Sequence, residues 1–162
     1  MEITTLISAQ NIEIVLKLVA ALFLGMSLGI ERAIAGKTAG MRTYGLVTMG
    51  SALFVIVGVI AGGGYESIGG KLESLRLTGQ IITGVGFLGA GLIIFKSSKV
   101  SGVTTAAGIW ASAGVGMAIG YGLYSLAVIS TVLIIFVFTV LWYIENSLKI
   151  LIRDEEEEKD AV

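Results

Sequence analysis

The stretch LTGQIITGVGFLGAGLIIF, residues 77–95, decides the fold of this chain. It is uncharged, lies between two basic residues, and holds five glycines in nineteen positions. Within it, Gly84, Gly86 and Gly89 spell G-x-G-x-x-G. As a nucleotide-binding loop this pattern would indicate a soluble protein, whereas on a membrane-spanning helix the glycines would allow close helix packing. The function depends on which interpretation holds.

The composition of the chain favours the membrane interpretation. Of its 162 residues, 55% are hydrophobic and only 14% are charged, and the mean hydropathy is +0.92. Soluble domains carry about 25% charged residues. The chain has no His and no Cys, which excludes disulfides, imidazole or thiolate metal sites, and Ser-His or Cys-His catalytic pairs. We therefore expect no enzyme and no cofactor, and the net charge of −1 gives no reason to expect nucleic-acid binding.

The dinucleotide-binding interpretation lacks the context that it requires. A fingerprint of that type needs a strand before the glycines, a helix after them and an acidic residue about 20 positions further on. The corresponding position here is Ala106, in a stretch without acidic residues. The G-x-G-x-x-G spacing is therefore interpreted as part of a glycine-rich membrane helix.

Uncharged runs along the chain predict five membrane-spanning helices. A span needs about 20 mostly apolar residues. The first run reaches that length only if Glu13 and Lys17 belong to it, and their i,i+4 spacing lets them pair on one helix face. The predicted spans are residues 12–31, 43–62, 77–95, 102–120 and 123–144.

Lysine and arginine positions predict the orientation, because basic residues favour cytoplasmic loops. Eight of them fall on one side of a five-span chain, in the first loop, the third loop and the tail. We expect an N-terminus outside and a C-terminus in the cytoplasm. The N-terminal segment does not resemble a cleaved signal peptide, because residues 1–11 carry no basic residue. The predicted domains are a transmembrane domain, 1–144, and a charged cytoplasmic tail, 145–162.

Small residues at helical spacing predict where helices pack closely. Such faces occur in the first, third and fourth predicted spans, so we expect these three to form the tight centre. The fifth span is bulky and aliphatic and is expected to face lipid or a partner. The candidate packing residues are Gly25, Gly29, Gly79, Gly84, Gly86, Gly89, Gly91, Ala107, Ala111 and Gly114.

Polar residues near the spans are few, which makes them candidates for a substrate or ion pathway. One interpretation is interface anchoring and helix capping. The other is a polar cluster at the mouth of a pocket, held by an ion pair such as Glu31 with Arg42. Gln80 would either cross-link helices or line a wet cavity, and Trp110 either plugs such a cavity or simply packs. The candidates are Glu31, Arg32, Arg42, Thr43, Glu73, Arg76, Gln80, Thr104, Thr105 and Trp110.

Several motifs in a fixed order resemble the membrane domain of the MgtC/SapB family over most of residues 14–144. They are G-x-E-R at 29–32, A-G-x-R-T at 39–43, G-S-A-L-F at 50–54, R-x-x-x-Q-I-x-x-G-x-G-F-L-G-A-G at 76–91, and V-x-G-x-T-T-A-A-x-x-W at 100–110. Two features differ from the family pattern. The family often has Asp-Pro ahead of the arginine, where this chain has Glu73 and Ser74. Longer members also carry a C-terminal ACT-like domain, and this chain resembles the short form without it.

The resemblance implies a multi-pass protein of the bacterial inner (plasma) membrane with roughly five helices. Family members are associated with adaptation to low magnesium, with acid stress and with survival inside host cells, and one is described as acting on the F-type ATP synthase. The first hypothesis is therefore a regulatory protein that modulates another membrane complex. The alternative is a small-ion transporter or channel whose polar pathway lies at the helix ends. The expected partners are the lipid bilayer, a second copy in a homodimer, and a complex such as that synthase.

Overall fold

The computed structural model describes residues 9–64, 66–96 and 99–148, which form five helices and one short hairpin. In chain order the elements are α1 (Ala9–Ile34), α2 (Met41–Ala61), α3 (Ile68–Ala90), β1 (Ile94–Lys96), β2 (Lys99–Ser101), α4 (Val103–Gly120) and α5 (Tyr124–Leu148, with a π-helical turn at Val137–Leu141). The predicted all-α membrane class with about five helices is confirmed. Residues 1–8 and 149–162, the latter most of the predicted charged tail, lie outside the described residues.

Within the described part of the chain, four helices are long and apolar enough to cross a membrane: α1, α2, α4 and α5. Helix α3 has sufficient length, at 23 residues, but its first half carries Lys71, Glu73, Arg76 and Gln80. These side chains lower its mean hydropathy. The bundle therefore combines four helices of span length and apolarity with one helix whose N-terminal part is polar.

The predicted third span is wrong in its bounds. The sequence predicts residues 77–95, whereas α3 runs from Ile68 to Ala90, and Ile94 and Phe95 belong to β1. The charged residues before Leu77 limit membrane burial, but they do not stop helix formation. After Gly91 the chain turns into the antiparallel hairpin, in which Ile94 pairs with Ser101.

The centre of the bundle is the contact between α2 and α4, called here the α2–α4 seam. Helix α4 meets α2 through two glycines four residues apart, Gly116 and Gly120, and through Gly108, which faces the Tyr44 hydroxyl of α2 and the Phe138 ring of α5. A side chain at Gly116 would collide with the carbonyl oxygen of Thr48, and one at Gly120 would meet Val55. The helix backbones therefore approach as closely as the absence of side chains allows.

This arrangement corrects the prediction that spans one, three and four form the centre. Helix α2 takes the place expected for α3, because it also carries small buried residues: Ser51 and Ala52 lie against α4, and Gly45 lies against α1. Helix α1 packs on α2 through Gly25, next to Thr48, and through Gly29, next to Met41.

The face of α4 that packs against α2 is not the small-residue face that the sequence predicts. Of the residues named for it, Ala107 is exposed and Ala111 is half-buried. A methyl group added at Gly114 would meet nothing within 4 Å among the described residues. Small residues surround α4 on every side, so the sequence does not distinguish the stripe that α2 contacts.

Helix α3 leaves three of its six glycines unpacked. Among the described residues, nothing lies within 4 Å of a methyl group added at Gly79, Gly84 or Gly86. Gly89 contacts Ala106 of α4, and Gly91 lies next to the last turn of its own helix. Gly79 and Gly86, seven residues apart and therefore on one side of the helix, form what is called here the open face of α3, whereas Gly84 points to another side, toward the groove between α2 and α3. These positions correct the expectation that the three glycines pack inside the bundle.

Candidate functional site

Arg32 lies near the end of α1 and is the most deeply buried charged residue in the described part of the chain. Its side chain is 3% exposed. Its Nε donates to Glu31 Oε2, and its Nη2 donates to Glu31 Oε1 at 2.6 Å and to the carbonyl oxygen of Phe138 at 3.3 Å. The predicted partner of Glu31 was Arg42, so this prediction is wrong: the neighbouring residue in the chain forms the pair. The Arg42 side chain is exposed on the first turn of α2.

An aromatic pair completes the surroundings of Arg32. Its guanidinium carbon lies 3.8 Å from the ring centroid of Phe138, which is a cation–π geometry. The Tyr44 ring meets Phe138 edge-on with centroids 6.3 Å apart, and its hydroxyl donates to the carbonyl oxygen of Thr105 at 3.4 Å. Gly108 makes room for both rings, because a side chain there would collide with each of them.

A pocket of about 420 Å³ opens beside this group and is called here the Arg32 pocket. It brings together three predicted candidates, Arg32, Thr104 and Thr105, with Lys37 and Trp142, which sequence reasoning did not single out for this site. The remaining lining residues are Val100, Gly102, Val103, Val137, Phe138, Leu141 and Glu145. The structure thus gathers the end of α1, the start of α4 and the second half of α5.

Glu73 and Arg76 form a separate pair on the first turns of α3. Arg76 Nη2 donates to Glu73 Oε1 at 2.6 Å, and the Arg76 side chain is 72% exposed. The hydrogen bond from Arg76 holds the pKa of the Glu73 carboxyl below its usual range. Because α1, α2 and α3 follow one another through short turns, the start of α3 lies at the opposite end of the bundle from Arg32.

Gln80 lies in a third place. It lines an apolar groove of about 600 Å³ between α2 and α3, together with Gly50, Phe54 and Gly84. Its side chain is exposed on the helix surface. The polar candidates are thus divided among two ends of the bundle and one side groove, and they do not line one continuous route in this chain.

The remaining two candidates lie on the surface. Thr43 is exposed in the first turn of α2. Trp110 is 55% exposed on α4 and lines neither of the two pockets described above. The predicted pairing of Glu13 with Lys17 is confirmed, with Lys17 Nζ 2.8 Å from Glu13 Oε1. Within the ranges that the structure describes, no group of three or more acidic side chains is placed to hold a metal ion.

Sequence reasoning missed Phe138 and Gly108. Phe138 lies in an uninterrupted apolar run, where no local signal distinguishes it from its neighbours. Its contact with Arg32 spans 106 positions of the chain. Gly108 is one glycine among several in α4, and only the rings of Tyr44 and Phe138 identify its role.

Fold and site together define a helical membrane protein with a buried arginine at one end of its bundle and no assembled catalytic group among the described residues. A family model described as the MgtC family matches residues 18–147. The chain therefore belongs to the MgtC family, and the family expected from the sequence motifs is confirmed.

Relatives from distant bacteria share this region. The chain is 40% identical over 129 residues to the Escherichia coli K12 protein named "Putative magnesium transporter YhiD", covering 79% of this chain and 60% of that one. It is 42% identical to SapB of Bacillus subtilis, over 76% of this chain and 54% of SapB. It is 41% identical to MgtC of Brucella abortus, over 73% and 47%. This chain thus spans about half to three fifths of these relatives. No solved structure matches it.

Proposed function

We propose that this chain is a bacterial inner-membrane protein that supports adaptation to low magnesium, or to other stress, by modulating another membrane complex. The F-type ATP synthase is the partner that the family resemblance implies. The observation that carries the proposal is the open face of α3, where a methyl group added at Gly79 or Gly86 would meet no atom within 4 Å among the described residues. Exposed small residues on a membrane helix allow the backbone of another helix to approach closely.

The separation of the polar candidates supports regulation over conduction. A charged route through a membrane requires polar groups or water along its length. Arg32 and Arg76 lie at opposite ends, and each pairs with a neighbouring glutamate on its own helix. The side groove that contains Gln80 is otherwise almost wholly apolar.

The test combines growth and flux. The chain is expressed in a bacterial strain that lacks its own MgtC-family protein, and growth is measured at limiting magnesium. The purified protein is then placed in vesicles that contain a magnesium indicator. We expect restored growth without magnesium flux through the protein alone. Selective flux in vesicles would contradict the proposal.

Ion transport is the second candidate, favoured by the name of the YhiD relative, which refers to magnesium transport. If the chain transports, the Glu73–Arg76 pair is the charged group at the α3 end of the bundle. Transport predicts vesicle flux that Arg76→Ala reduces. A Lys71→Ala variant, which removes an exposed basic residue near the start of the same helix, serves as the matched control.

We also propose that the N-terminus lies outside, the C-terminus lies in the cytoplasm and the chain forms a homodimer, since closed two-fold pairs are the commonest assemblies. The sequence contains no cysteine, so single introduced cysteines report accessibility directly. Lys37→Cys should react only from the cytoplasmic side, and Glu66→Cys only from outside. Mass measurement in detergent, corrected for bound detergent, should give twice the chain mass of 16.9 kDa.

A further inference from the structure

One wall of the Arg32 pocket has hydrogen-bond donors that are not used within the protein. Arg32 directs its Nε and Nη2 groups to Glu31 and Phe138, which leaves the Nη1 group without a partner among the described residues. Thr105 lines the same wall and is 4% exposed, yet its hydroxyl forms no hydrogen bond within the described ranges. Within the described residues, no buried side-chain nitrogen or oxygen lacks a hydrogen-bond partner, so these unbonded donors are open to the pocket, where a group from outside the chain can bond them.

The same wall favours an anion. Lys37 joins Arg32 and Glu145 in the lining, while Glu31, which pairs with Arg32, is not among the lining residues, so Lys37 is the added basic group of this wall. Helix α4 begins here behind Gly102, which has no side chain to cap the first N–H groups. Free N–H groups and the positive end of the helix dipole attract phosphate and similar anions.

The opposite wall of the pocket is apolar and continues onto the surface of α5. Val137 and Leu141 are each about half exposed, and Trp142 is 55% exposed. In a membrane this surface faces acyl chains, while a tryptophan at a helix end prefers the level of the headgroups. A free inorganic anion would leave this apolar wall uncovered, whereas a lipid would cover both walls.

We propose that the Arg32 pocket binds the phosphate group of an anionic phospholipid, with an acyl chain along α5. Arg32, Lys37 and the Thr105 hydroxyl bond the phosphate, and Trp142 packs against the glycerol region. The proposal does not depend on the proposed function, because lipid binding at this pocket is compatible with either regulation or transport.

Trp142 is a built-in reporter for the test. The chain has two tryptophans, so Trp110→Phe leaves Trp142 as the only one. The full chain is placed in phosphatidylcholine nanodiscs with a small fraction of brominated phosphatidylglycerol or brominated phosphatidylcholine, matched in acyl chains. We expect phosphatidylglycerol to quench Trp142 with about fivefold higher apparent affinity, as one basic residue near a membrane surface provides. In the converse variant, Trp142→Phe, Trp110 should be quenched equally by both lipids.

Paired variants test the contacts. Lys37→Gln should lower the phosphatidylglycerol preference severalfold, whereas Lys71→Gln, which removes an exposed lysine at the other end of the bundle, should not. Thr105→Val keeps the side-chain shape and should lower it as well. Equal quenching of Trp142 by the two lipids, or equal effects of the two lysine variants, would overturn the proposal. If millimolar inorganic phosphate displaces phosphatidylglycerol, the pocket binds free phosphate, and the proposal that it binds a lipid is wrong.

Discussion

The α2–α4 seam and the open face of α3 are both rich in glycine, yet one is closed and the other is not. At the seam, Gly116 lies against the backbone of α2, and a side chain there has no room. On the open face of α3, a methyl group added at Gly86 would meet nothing within 4 Å in the described structure. The two ends of the bundle differ as well, because the Glu–Arg pair is buried at Arg32 and exposed at Arg76. The same residue types thus stabilise the fold in one region and leave a surface available in the other.

The largest difference is expected between the two arginines. Arg32→Gln leaves the Glu31 carboxylate without its partner in a largely buried position, and breaking a buried ion pair costs about 3–5 kcal/mol. Arg76→Gln removes an exposed partner and should leave the free energy of unfolding unchanged. Both are measured by denaturant titration of the purified protein in mixed micelles. Equal destabilisation by the two variants would contradict the contrast.

The second largest difference in the free energy of unfolding is expected when a methyl group is added at a glycine of the seam or at a glycine of α3. Gly116→Ala forces the new carbon against the carbonyl oxygen of Thr48, and overpacking of this kind costs about 1–3 kcal/mol. Gly84→Ala meets open space and should gain about 0.5–1 kcal/mol, since alanine favours the helix. The same titration measures both variants. If Gly116→Ala is no less stable than Gly84→Ala, the seam is not as close as described.

A hydrogen bond that ties α3 to α4 should contribute less. The hydroxyls of Thr78 and Tyr121 lie 2.7 Å apart. Tyr121→Phe should cost about 0.6 kcal/mol, the average for side-chain hydrogen bonds between membrane helices. Tyr124→Phe is the matched control, because no hydrogen bond of that hydroxyl occurs within the described residues. The free energy of unfolding should drop for the first variant only.

The smallest effect on stability, with the clearest effect on function, is expected on the open face of α3. Gly86→Leu has space in the chain and should leave the free energy of unfolding nearly unchanged. If another membrane complex binds this face, the bulky side chain should abolish growth at limiting magnesium. Gly114→Leu introduces the same side chain at an open position of α4 and should preserve growth. Normal growth with Gly86→Leu would separate this face from the function.

The sequence predicts where the helices begin and end better than it predicts which helix faces pack against one another. The bounds of α2 and α4 differ from prediction by one or two residues, because long uncharged runs mark a membrane span directly. The start of α3 is wrong by nine residues, because a charged turn can still be helical. The stripe of α4 that packs is also wrong. Periodicity locates small residues on a helix, but the neighbouring helix decides which of them are buried.

The candidate site follows the same pattern. Arg32, Thr104 and Thr105 were identified from their polarity near span ends, and the structure brings them to one pocket. The predicted pairing of Glu31 with Arg42 is wrong because Glu31 bonds Arg32, the next residue in the chain. Sequence spacing alone gives no reason to prefer this neighbour over an arginine on the next helix. Phe138 could not be identified, since its importance comes entirely from the arginine that reaches it from α1.

The π-helical turn at Val137–Leu141 has a consequence for how α5 is aligned along its length. One extra residue in a helix rotates everything after it by about 100° relative to an uninterrupted α-helix. The residues from Trp142 onward therefore do not continue the face that the first half of α5 turns toward its neighbours. A deletion of one residue within the turn would keep the helix continuous while turning Trp142 away from Arg32. The rotation of the last two turns of α5 thus depends on the number of residues in the π-helical turn as well as on side-chain chemistry.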